Sequence, residues 1–538
     1  MTDTPGWVGR YAMLPVEAAI GIPLLLALLR TSARRAAMAA CGFIAVAAVS
    51  TLLSDNPAIS FWGNQNWGTG CLFVLAMTGV WAIGTSTGDE GGRIVERALV
   101  IGVAVNACVA LLQVLVDLQR LGAAGYGTQS TGLMGQPAQL AALLLGGLWL
   151  VSHRWVAGQH RAAMLIVLVA AALEVAGERF PLVLCLPLLV ALTWRRPLRT
   201  KATLSALVAV GIVAGLVLTH AGAGRTSATA RLGGDVGETA RIENYAGAFH
   251  AIAARPIVGW GPARYLSATT PQRTLALERV TPDSVFVDGH NWPVHWAVTT
   301  GLVGVVLLGL WLVSAVRLGR GPLLGFAALV AIVQLLQPQD VAVTALALLA
   351  LGAAGSRDAP RHVVPVLGRI VLVIAGVALA VTILLGGWLA YRSETGDLDA
   401  ATAAASLLPH WPGRAEKAAV LALAREDLTQ EQRIEQSKRW ATEAISRDSR
   451  DPQTIEAAAY DYLFSGDLTR AADTFRSLLR FDPRSPKTLT GLGIVELQQG
   501  QFDQAVDHLT QAHAIDSNNS LTSDALDRAR RALAQLPP

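Results

Sequence analysis

The feature that most constrains this chain is a succession of long apolar runs, broken only by short segments that carry the charge. A bilayer core is about 30 Å thick and takes roughly 20 apolar residues as a helix, with about 17 as a lower limit. Charged residues make up only 15% of the chain, whereas soluble domains carry roughly 25%. We therefore predict an all-α, polytopic membrane helix bundle of about 12 spans, near residues 13–29, 36–53, 69–87, 95–116, 135–152, 162–177, 180–194, 202–219, 293–313, 322–337, 340–355 and 366–391.

Basic residues collect in alternate loops between these runs, and positively charged loops stay in the cytoplasm. The other loops, near 54–68, 117–134, 177–180, 220–292 and 337–339, are then outside, as is everything after the last span. This predicts a multi-pass plasma-membrane protein whose long loop and C-terminal domain are extracytoplasmic. The basic residues of the alternate loops are Arg30, Arg34, Arg35, Arg93, Arg97, Arg154, Arg161, Arg195, Arg196, Arg199, Lys201, Arg317, Arg320, Arg357, Arg361 and Arg369.

The remaining composition excludes several function classes. A net charge of +4, scattered over short loops, does not indicate nucleic-acid binding. The cysteines lie inside apolar runs without metal-ligand spacing, so we expect small buried side chains rather than a disulfide or a metal site. We also expect no cofactor. The first apolar run is followed by arginines and not by the small residues of a cleavage site, so we do not expect it to be a cleavable signal peptide. The four cysteines are Cys41, Cys71, Cys108 and Cys185.

The C-terminal part has the charge pattern of a soluble domain and an internal repeat. We predict a transmembrane domain at 1–391, a linker at 392–417 and a helical repeat domain at 418–538. Copies that begin at Pro452 and Pro486 are 34 residues apart, the length of a tetratricopeptide repeat, and Ala471 and Ala505 fall where its two helices approach closely. Such repeats present a curved surface to a peptide or partner helix, although a structural cap over the membrane domain is equally compatible with the sequence.

The long loop at 220–292 is where we expect chemistry, because loops of this length are uncommon unless they are functional. Apolar residues at helical spacing, from Ile242 to Ile252, predict an amphipathic helix at 240–254 that lies along the membrane face. A Gly-Trp-Gly-Pro turn follows at Gly259 and Gly261; in isolation such a turn is more often structural than phosphate-binding.

Two further residues stand out on the outer side. His290, just before a span, can take up a proton near neutral pH, although an interfacial histidine without function is the alternative. Arg179 lies in a tight turn on the side where basic residues are depleted. It either extends to the interface from an apolar helix or binds an anion at a protein-lined cavity.

The order of these features resembles the O-antigen ligase superfamily of bacterial envelopes, which includes ligases, polymerases and O-oligosaccharyltransferases. Arg241, then Tyr245, Pro256 and the Gly259–Gly261 turn resemble that family's loop pattern. Gly289-His290-Asn291 before a helix resembles its His-Asn motif. Tetratricopeptide repeats after the membrane domain also occur in some members.

Two other stretches resemble the family with departures. Residues 54–68 are similar to its first outer loop. Met134 and Gln136 stand where an aromatic residue and Asn are usual in the Gly-aromatic-Asn-Pro stretch, and Glu178 replaces the Ser that precedes Arg179.

The resemblance implies a metal-independent glycosyltransferase that moves a glycan from an undecaprenyl-diphosphate carrier to an acceptor hydroxyl on the outer face. Its donor is a lipid-linked glycan, and its acceptor is a glycan, a lipid or a protein; a protein partner on the repeats is possible. Arginine binds phosphate oxygens bidentately and stays charged. The implied catalytic residues are His290, as the general base, with Arg179 and Arg241; the implied substrate-binding residues are Arg264, Arg255, Asn291, Gly259 and Gly261.

Two other function classes compete with this interpretation. A transporter or flippase of envelope lipids is permitted by the number of spans, but the sequence lacks visible inverted repeats or matched broken helices. A non-catalytic membrane scaffold for the repeats would leave the Arg and His pattern of the long loop unexplained.

Overall fold

The computed structural model of the chain describes residues 5–64, 68–116, 129–221, 227–229, 238–282, 285–355 and 365–535. Within these ranges the chain forms helices and no β-strand, which confirms the all-α prediction. Between its first and last turns a helix satisfies its backbone hydrogen bonds internally, as a lipid environment demands. The first part of the bundle comprises α1 (Pro5–Leu28), α2 (Arg34–Leu52), α3 (Pro57–Trp62), α4 (Cys71–Thr85), α5 (Gly88–Leu115), α6 (Pro137–Val156), α7 (Ala162–Val175), α8 (Arg179–Val183), α9 (Cys185–Thr193) and α10 (Leu198–Ala221).

The long loop holds short helices that pack against the start of the next span. The predicted amphipathic helix is present, with its alanines Ala248 and Ala251 buried. Ile242 and Phe249 are 66% and 62% exposed, so part of the predicted apolar face points away from the protein. The helices of the loop are α11 (Glu238–Ala254), α12 (Tyr265–Thr269) and α13 (Leu275–Val280), with a 3₁₀ turn at Thr270–Gln272.

The remaining bundle helices surround an aromatic centre. The rings of Phe43 and Phe73 lie 5.4 and 6.1 Å, centroid to centroid, from Trp296. Trp81 contacts Trp311 edge to face at 5.8 Å. These large side chains fill the space between α2, α4 and the helix after the long loop. The helices of this part are α14 (Trp292–Leu318), α15 (Pro322–Val333), α16 (Val341–Gly355) and α17 (Val366–Ser393).

Every predicted span falls on a helix, but the count of twelve is not confirmed. The described residues contain six helices long and apolar enough to cross a membrane: Tyr11–Leu28, Arg34–Leu52, Gly88–Leu115, Leu198–Ala221, Trp292–Leu318 and Val366–Ser393. Shorter apolar helices of 10–17 residues include Cys71–Thr85 and Val341–Gly355. At about 1.5 Å per residue, such helices are shorter than a core of about 30 Å. The chain is a multi-pass membrane protein, with six qualifying spans in its described part.

Loops alternate between the two ends of the bundle. At one end Arg154 Nε lies 2.8 Å from Glu96 Oε1, close to two of the arginine-bearing loops. At the other end the Ser50 hydroxyl, near the end of α2, donates to the carbonyl of Val258 in the long loop at 2.6 Å. We call this second end, where the long loop lies, the loop end. Arg357 and Arg361, from the predicted cytoplasmic set, lie outside the described residues.

The C-terminal part forms paired antiparallel helices, which confirms the predicted helical repeats. Pro452 and Pro486 occupy the first turn of the first helix in two successive pairs. Ala471 and Ala505 are fully buried between the helices of their pairs. The helices are α18 (Leu398–Leu407), α19 (Pro412–Ala424), α20 (Gln430–Arg447), α21 (Pro452–Phe464), α22 (Leu468–Phe481), α23 (Pro486–Gln498), α24 (Phe502–Ile515) and α25 (Ser520–Ala534).

The stretch expected to be a linker, 392–417, contains α18 and the start of α19. Its apolar side chains Leu398, Leu408 and Trp411 are buried, which fixes the stretch in place. The Trp411 indole N–H donates to the carbonyl of Gly63 in the first loop at 2.9 Å. The repeats therefore rest on the loop end of the bundle.

Candidate functional site

His290 lies in the turn that leads into α14, and its backbone is left-handed, with φ of 46°. Such a conformation is strained for a residue other than glycine and is concentrated at functional sites. Asp288 fixes the turn, because its Oδ1 accepts the His290 backbone N–H at 2.8 Å. The same oxygen lies 2.7 Å from the ring Nδ1. The imidazole is 23% exposed, so it is held and still accessible.

Asp288 is a functional candidate that the sequence motif did not reveal. Burial alone would raise the pKa of its carboxyl, but the His290 ring, hydrogen bonds from His290 and the nearby His295 hold that pKa below its usual value. A carboxylate beside Nδ1 favours the tautomer with its proton there. In that tautomer Nε2 of His290 carries the free lone pair. The Asp-X-His spacing was the one available signal in the sequence.

A buried polar network behind this turn was also missed. His295, on the first turns of α14, is 2% exposed and stacks on Tyr265 with ring centroids 5.6 Å apart. The Tyr265 hydroxyl donates to Asn244 Oδ1 at 3.1 Å. Both ring nitrogens of His295 lack a hydrogen-bond partner among the residues that the structure describes. His295 reads in sequence as one more residue of an apolar span.

Arg241 lies on α11, the helix of the long loop that also carries Tyr245. One helical turn further on, burial raises the pKa of the Tyr245 hydroxyl, while Arg241 and the Asn291 amide lower it and Asp288 raises it. The guanidinium of Arg241 and the turn before α14 therefore act on one hydroxyl. Asn291 itself caps α14, since its Oδ1 accepts the Val294 N–H at 3.2 Å.

Arg179 begins α8, in a corner at the same end of the bundle. The neighbouring Glu178 accepts a hydrogen bond from Gln337 Nε2 at 3.1 Å. Two residues later, Gln339 Oε1 accepts from the Trp296 indole at 2.9 Å. The corner is thus joined through 337–339 to the start of α14. Arg179, Arg241 and His290 all lie at the loop end.

An apolar cavity lies inside the bundle beside this turn. Its volume is about 90 Å³, and Trp292, Trp296 and Trp311 form much of its wall. Gln334 and Gln339 supply polar groups to the same wall. The cavity offers hydrocarbon-compatible space two residues from His290, although the three predicted catalytic residues are not part of its described lining.

Arg264, expected to bind substrate, is instead enclosed by carboxylates. Its side chain is 3% exposed; Nε lies 2.7 Å from Asp55 Oδ1, and a second guanidinium nitrogen bonds Asp448. Asp55 belongs to the first loop and Asp448 to the repeats. Two carboxylates neutralise the charge of Arg264. The side chain therefore links the first loop to the repeats.

The Gly259–Gly261 turn is also engaged within the protein. Gly259 N–H donates to the Arg255 carbonyl at 3.2 Å, and Gly261 N–H donates to the Thr299 carbonyl at 2.9 Å. A side chain at Gly259 would place Cβ 2.5 Å from the Thr299 carbonyl carbon. The Arg255 guanidinium lies 4.2 Å from the ring centroid of Trp260. These contacts press the turn against α14 and leave the two amides no role as a phosphate cradle.

Comparison with known proteins agrees with the motif pattern. Residues 164–309 match the family model described as O-Antigen ligase. No curated protein matches the chain. Among solved structures, the crystal structure of the APC/C hetero-tetramer Cut9-Hcn1 aligns with 93% of this chain and 84% of its own, at 14% identity and a TM-score of 0.25. A TM-score this low does not establish a shared fold. The resemblance to the O-antigen ligase family is thus confirmed for the segment that carries Arg179, Arg241 and His290.

Proposed function

We propose that the chain is an envelope glycosyltransferase of the O-antigen ligase type, which moves a glycan from an undecaprenyl-diphosphate carrier to an acceptor hydroxyl. The family match supports the ligase class. The observation that carries the proposal is the strained His290 turn, with Asp288 against the imidazole. The reaction takes place at the loop end, on the outer face of the plasma membrane.

The reaction is a direct displacement. The acceptor oxygen attacks the anomeric carbon of the donor sugar while His290 Nε2 takes the hydroxyl proton. The bond between the anomeric carbon and the diphosphate oxygen breaks, and undecaprenyl diphosphate leaves with the electron pair. The anomeric configuration is inverted. Asp288 is a positioning residue that holds the imidazole in the required tautomer.

The diphosphate is bound by guanidinium groups. Negative charge grows on the leaving oxygen, and preorganised cations stabilise this charge most effectively in a site shielded from water. Arg179 and Arg241 supply these cations, with a planar fork that matches phosphate oxygens. Because the chain provides the positive charge, transfer needs no added metal. Arg264 is not assigned this role, since its charge is neutralised.

The isoprenoid of the donor lies against apolar surface at the same end. The tryptophan-lined cavity beside α14 and the exposed Ile242 and Phe249 of α11 provide such surface. Burial of hydrocarbon stabilises by roughly 25 cal/mol per Å² of apolar area. The donor headgroup then lies at the height of Arg241 and His290.

The test is transfer itself. Purified full-length protein is incubated with a lipid-linked oligosaccharide and with glycan, lipid and protein acceptors, and the products are identified by mass spectrometry. We expect glycan on one acceptor class, and none with the Arg179→Ala, His290→Ala double variant. Flipping of a labelled carrier lipid without transfer would favour a transporter. Transfer at the wild-type rate by the double variant would overturn the roles assigned to Arg179 and His290, and the absence of both transfer and flipping in the wild type would favour a scaffold.

A further inference from the structure

A second, polar cavity lies between the membrane domain and the repeats, and we call it the repeat cleft. Its volume is about 310 Å³, within the range of small-molecule sites, roughly 300–1,000 Å³. Three separate parts of the chain form its walls. Asn64 comes from the first loop, Ser267 and Val287 from the long loop, and Glu416 and Thr454 from the first two helix pairs of the repeats.

The walls of the cleft are fixed to each other. The Asn56 amide donates to the carbonyl of Arg447 at 2.7 Å, so the first loop is bonded to the end of α20. Arg264 bonds carboxylates of the first loop and of the repeats at once. Further along, Arg484 donates to the Arg273 carbonyl at 3.0 Å. Contacts at several points make the cleft a preformed site, which reduces the ordering cost of binding.

The lining of the cleft suits an uncharged, hydroxyl-rich ligand. Its buried cation, Arg264, is already neutralised by Asp55 and Asp448. Burial raises the pKa of Glu416 to about 7, with Thr454 lowering it and Asp451 raising it. At neutral pH this carboxyl is therefore partly protonated and can both donate and accept hydrogen bonds. The carboxyls of the lining would repel a diphosphate.

The cleft lies next to the proposed reaction centre. Val287, in its wall, immediately precedes Asp288, which contacts His290. Leu266, also in the wall, follows Tyr265, which stacks on His295. A ligand in the cleft is therefore separated from the histidine turn by a single layer of the long loop. The donor arginines, Arg179 and Arg241, are not in the described lining.

We propose that the repeat cleft is the acceptor subsite and that it binds a carbohydrate segment through hydrogen bonds to sugar hydroxyls. This inference rests on the proposed glycosyl transfer, because it assigns the acceptor side of that reaction. The repeats then complete a substrate site, with Glu416 and Thr454 as binding groups. Apolar side chains in the wall, such as Val287, pack against the less polar faces of the sugar rings.

The test uses Gln453, an exposed residue at the rim of the cleft near the start of α21. Gln453→Trp fills the cleft from its solvent side with little risk to folding. The matched control is Gln430→Trp, at an exposed position at the start of α20, outside the cleft lining. Binding of fluorescein-labelled tetrasaccharides of glucose and of N-acetylglucosamine to full-length protein is measured by fluorescence polarisation, with labelled pentalysine as a comparison.

We expect at least one tetrasaccharide to bind, with an affinity at least tenfold lower for Gln453→Trp and unchanged for Gln430→Trp. Equal affinity in both variants, or no binding of either tetrasaccharide, would overturn the proposal. Binding of pentalysine alone, lost in Gln453→Trp, would make the cleft a peptide site and overturn it as well.

A transfer assay separates this proposal from the proposed function. In Gln453→Trp we expect KM for the glycan acceptor to rise about tenfold while KM for the donor stays unchanged. If this variant transfers glycan as well as the wild type, the proposed acceptor subsite is wrong and the proposed transferase function stands. If the wild-type protein binds a tetrasaccharide in the cleft but transfers no glycan, the proposed transferase function is wrong instead.

Discussion

Two arginines of the long loop illustrate how burial decides what a cation can do. Arg241 lies on α11, one helical turn before Tyr245, and lowers the pKa of that hydroxyl. Arg264, only a short distance along the chain, is 3% exposed and is held by Asp55 and Asp448. A buried cation with two carboxylates stabilises an arrangement of segments, whereas a cation beside an open turn can bind a phosphate.

Substitution of Arg264 is expected to loosen the repeats from the membrane domain. Arg264→Ala removes the ion-pair partner of the buried Asp448, and breaking a buried pair in this way costs about 3–5 kcal/mol. Arg450 provides the control, because it pairs with the same Asp55 at 3.6 Å but is 57% exposed. Exposed pairs contribute less than about 1 kcal/mol. In chemical denaturation of the purified protein, the free energy of unfolding should therefore fall strongly for Arg264→Ala and little for Arg450→Ala. Equal decreases in both variants would contradict a role of Arg264 in holding the repeats on the membrane domain.

At the scale of elements, the break in α14 lies where this helix contacts the Gly259–Gly261 turn of the long loop. Gly301 is non-helical, with φ of 71°. Just before this break, the Val298 and Thr299 carbonyls accept the N–H groups of Trp260 and Gly261 at 3.0 and 2.9 Å. The Ser50 hydroxyl also donates to the Thr299 carbonyl at 2.8 Å. The irregular backbone is thus buried within the protein, as a lipid environment requires.

Gly301→Ala is expected to disrupt this connection. Its Cβ would lie 2.2 Å from the Ile257 carbonyl oxygen, and the positive φ is unfavourable for alanine. Gly309 in the same helix has open space around its Cβ position, so Gly309→Ala is the matched control. We expect Gly301→Ala to lower the melting temperature by several degrees and to reduce glycan transfer, with Gly309→Ala unchanged. A melting temperature that falls equally in both variants would exclude a special role for the break.

At the scale of the whole molecule, the sequence predicts what depends on local pattern. Apolar runs predict helices at every expected span, and the spacing from Pro452 to Pro486 predicts the repeats. The span count of twelve is not confirmed, because a short apolar helix, such as Cys71–Thr85, has the sequence pattern of a span although its fifteen residues cover only about 22 Å. The length of an apolar run in the sequence does not by itself distinguish a short apolar helix from a membrane span.

The site was predictable only where it is encoded locally. His290 stands out through its motif and Arg241 through the family resemblance. The pairing of Arg264 with Asp448 joins residues 184 positions apart, and no local pattern reports it. His295 was hidden for a related reason, since a polar residue in an apolar span gives no sign of its neighbours. Contacts between distant segments pair Arg264, a predicted substrate-binding residue, with two carboxylates, and they also form the repeat cleft.

Donor binding and glycan transfer, compared in two variants of the full-length protein, distinguish the proposed roles of His290 and Arg241. His290→Asn keeps a residue that tolerates the left-handed backbone but removes the proton acceptor. The account predicts that this variant loses transfer by about 10²–10⁴-fold and binds lipid-linked donor nearly as well as the wild type. Arg241→Ala is predicted to weaken donor binding as well as transfer. Equal loss of donor binding in both variants, or full transfer by His290→Asn, would contradict the division of roles between imidazole and guanidinium.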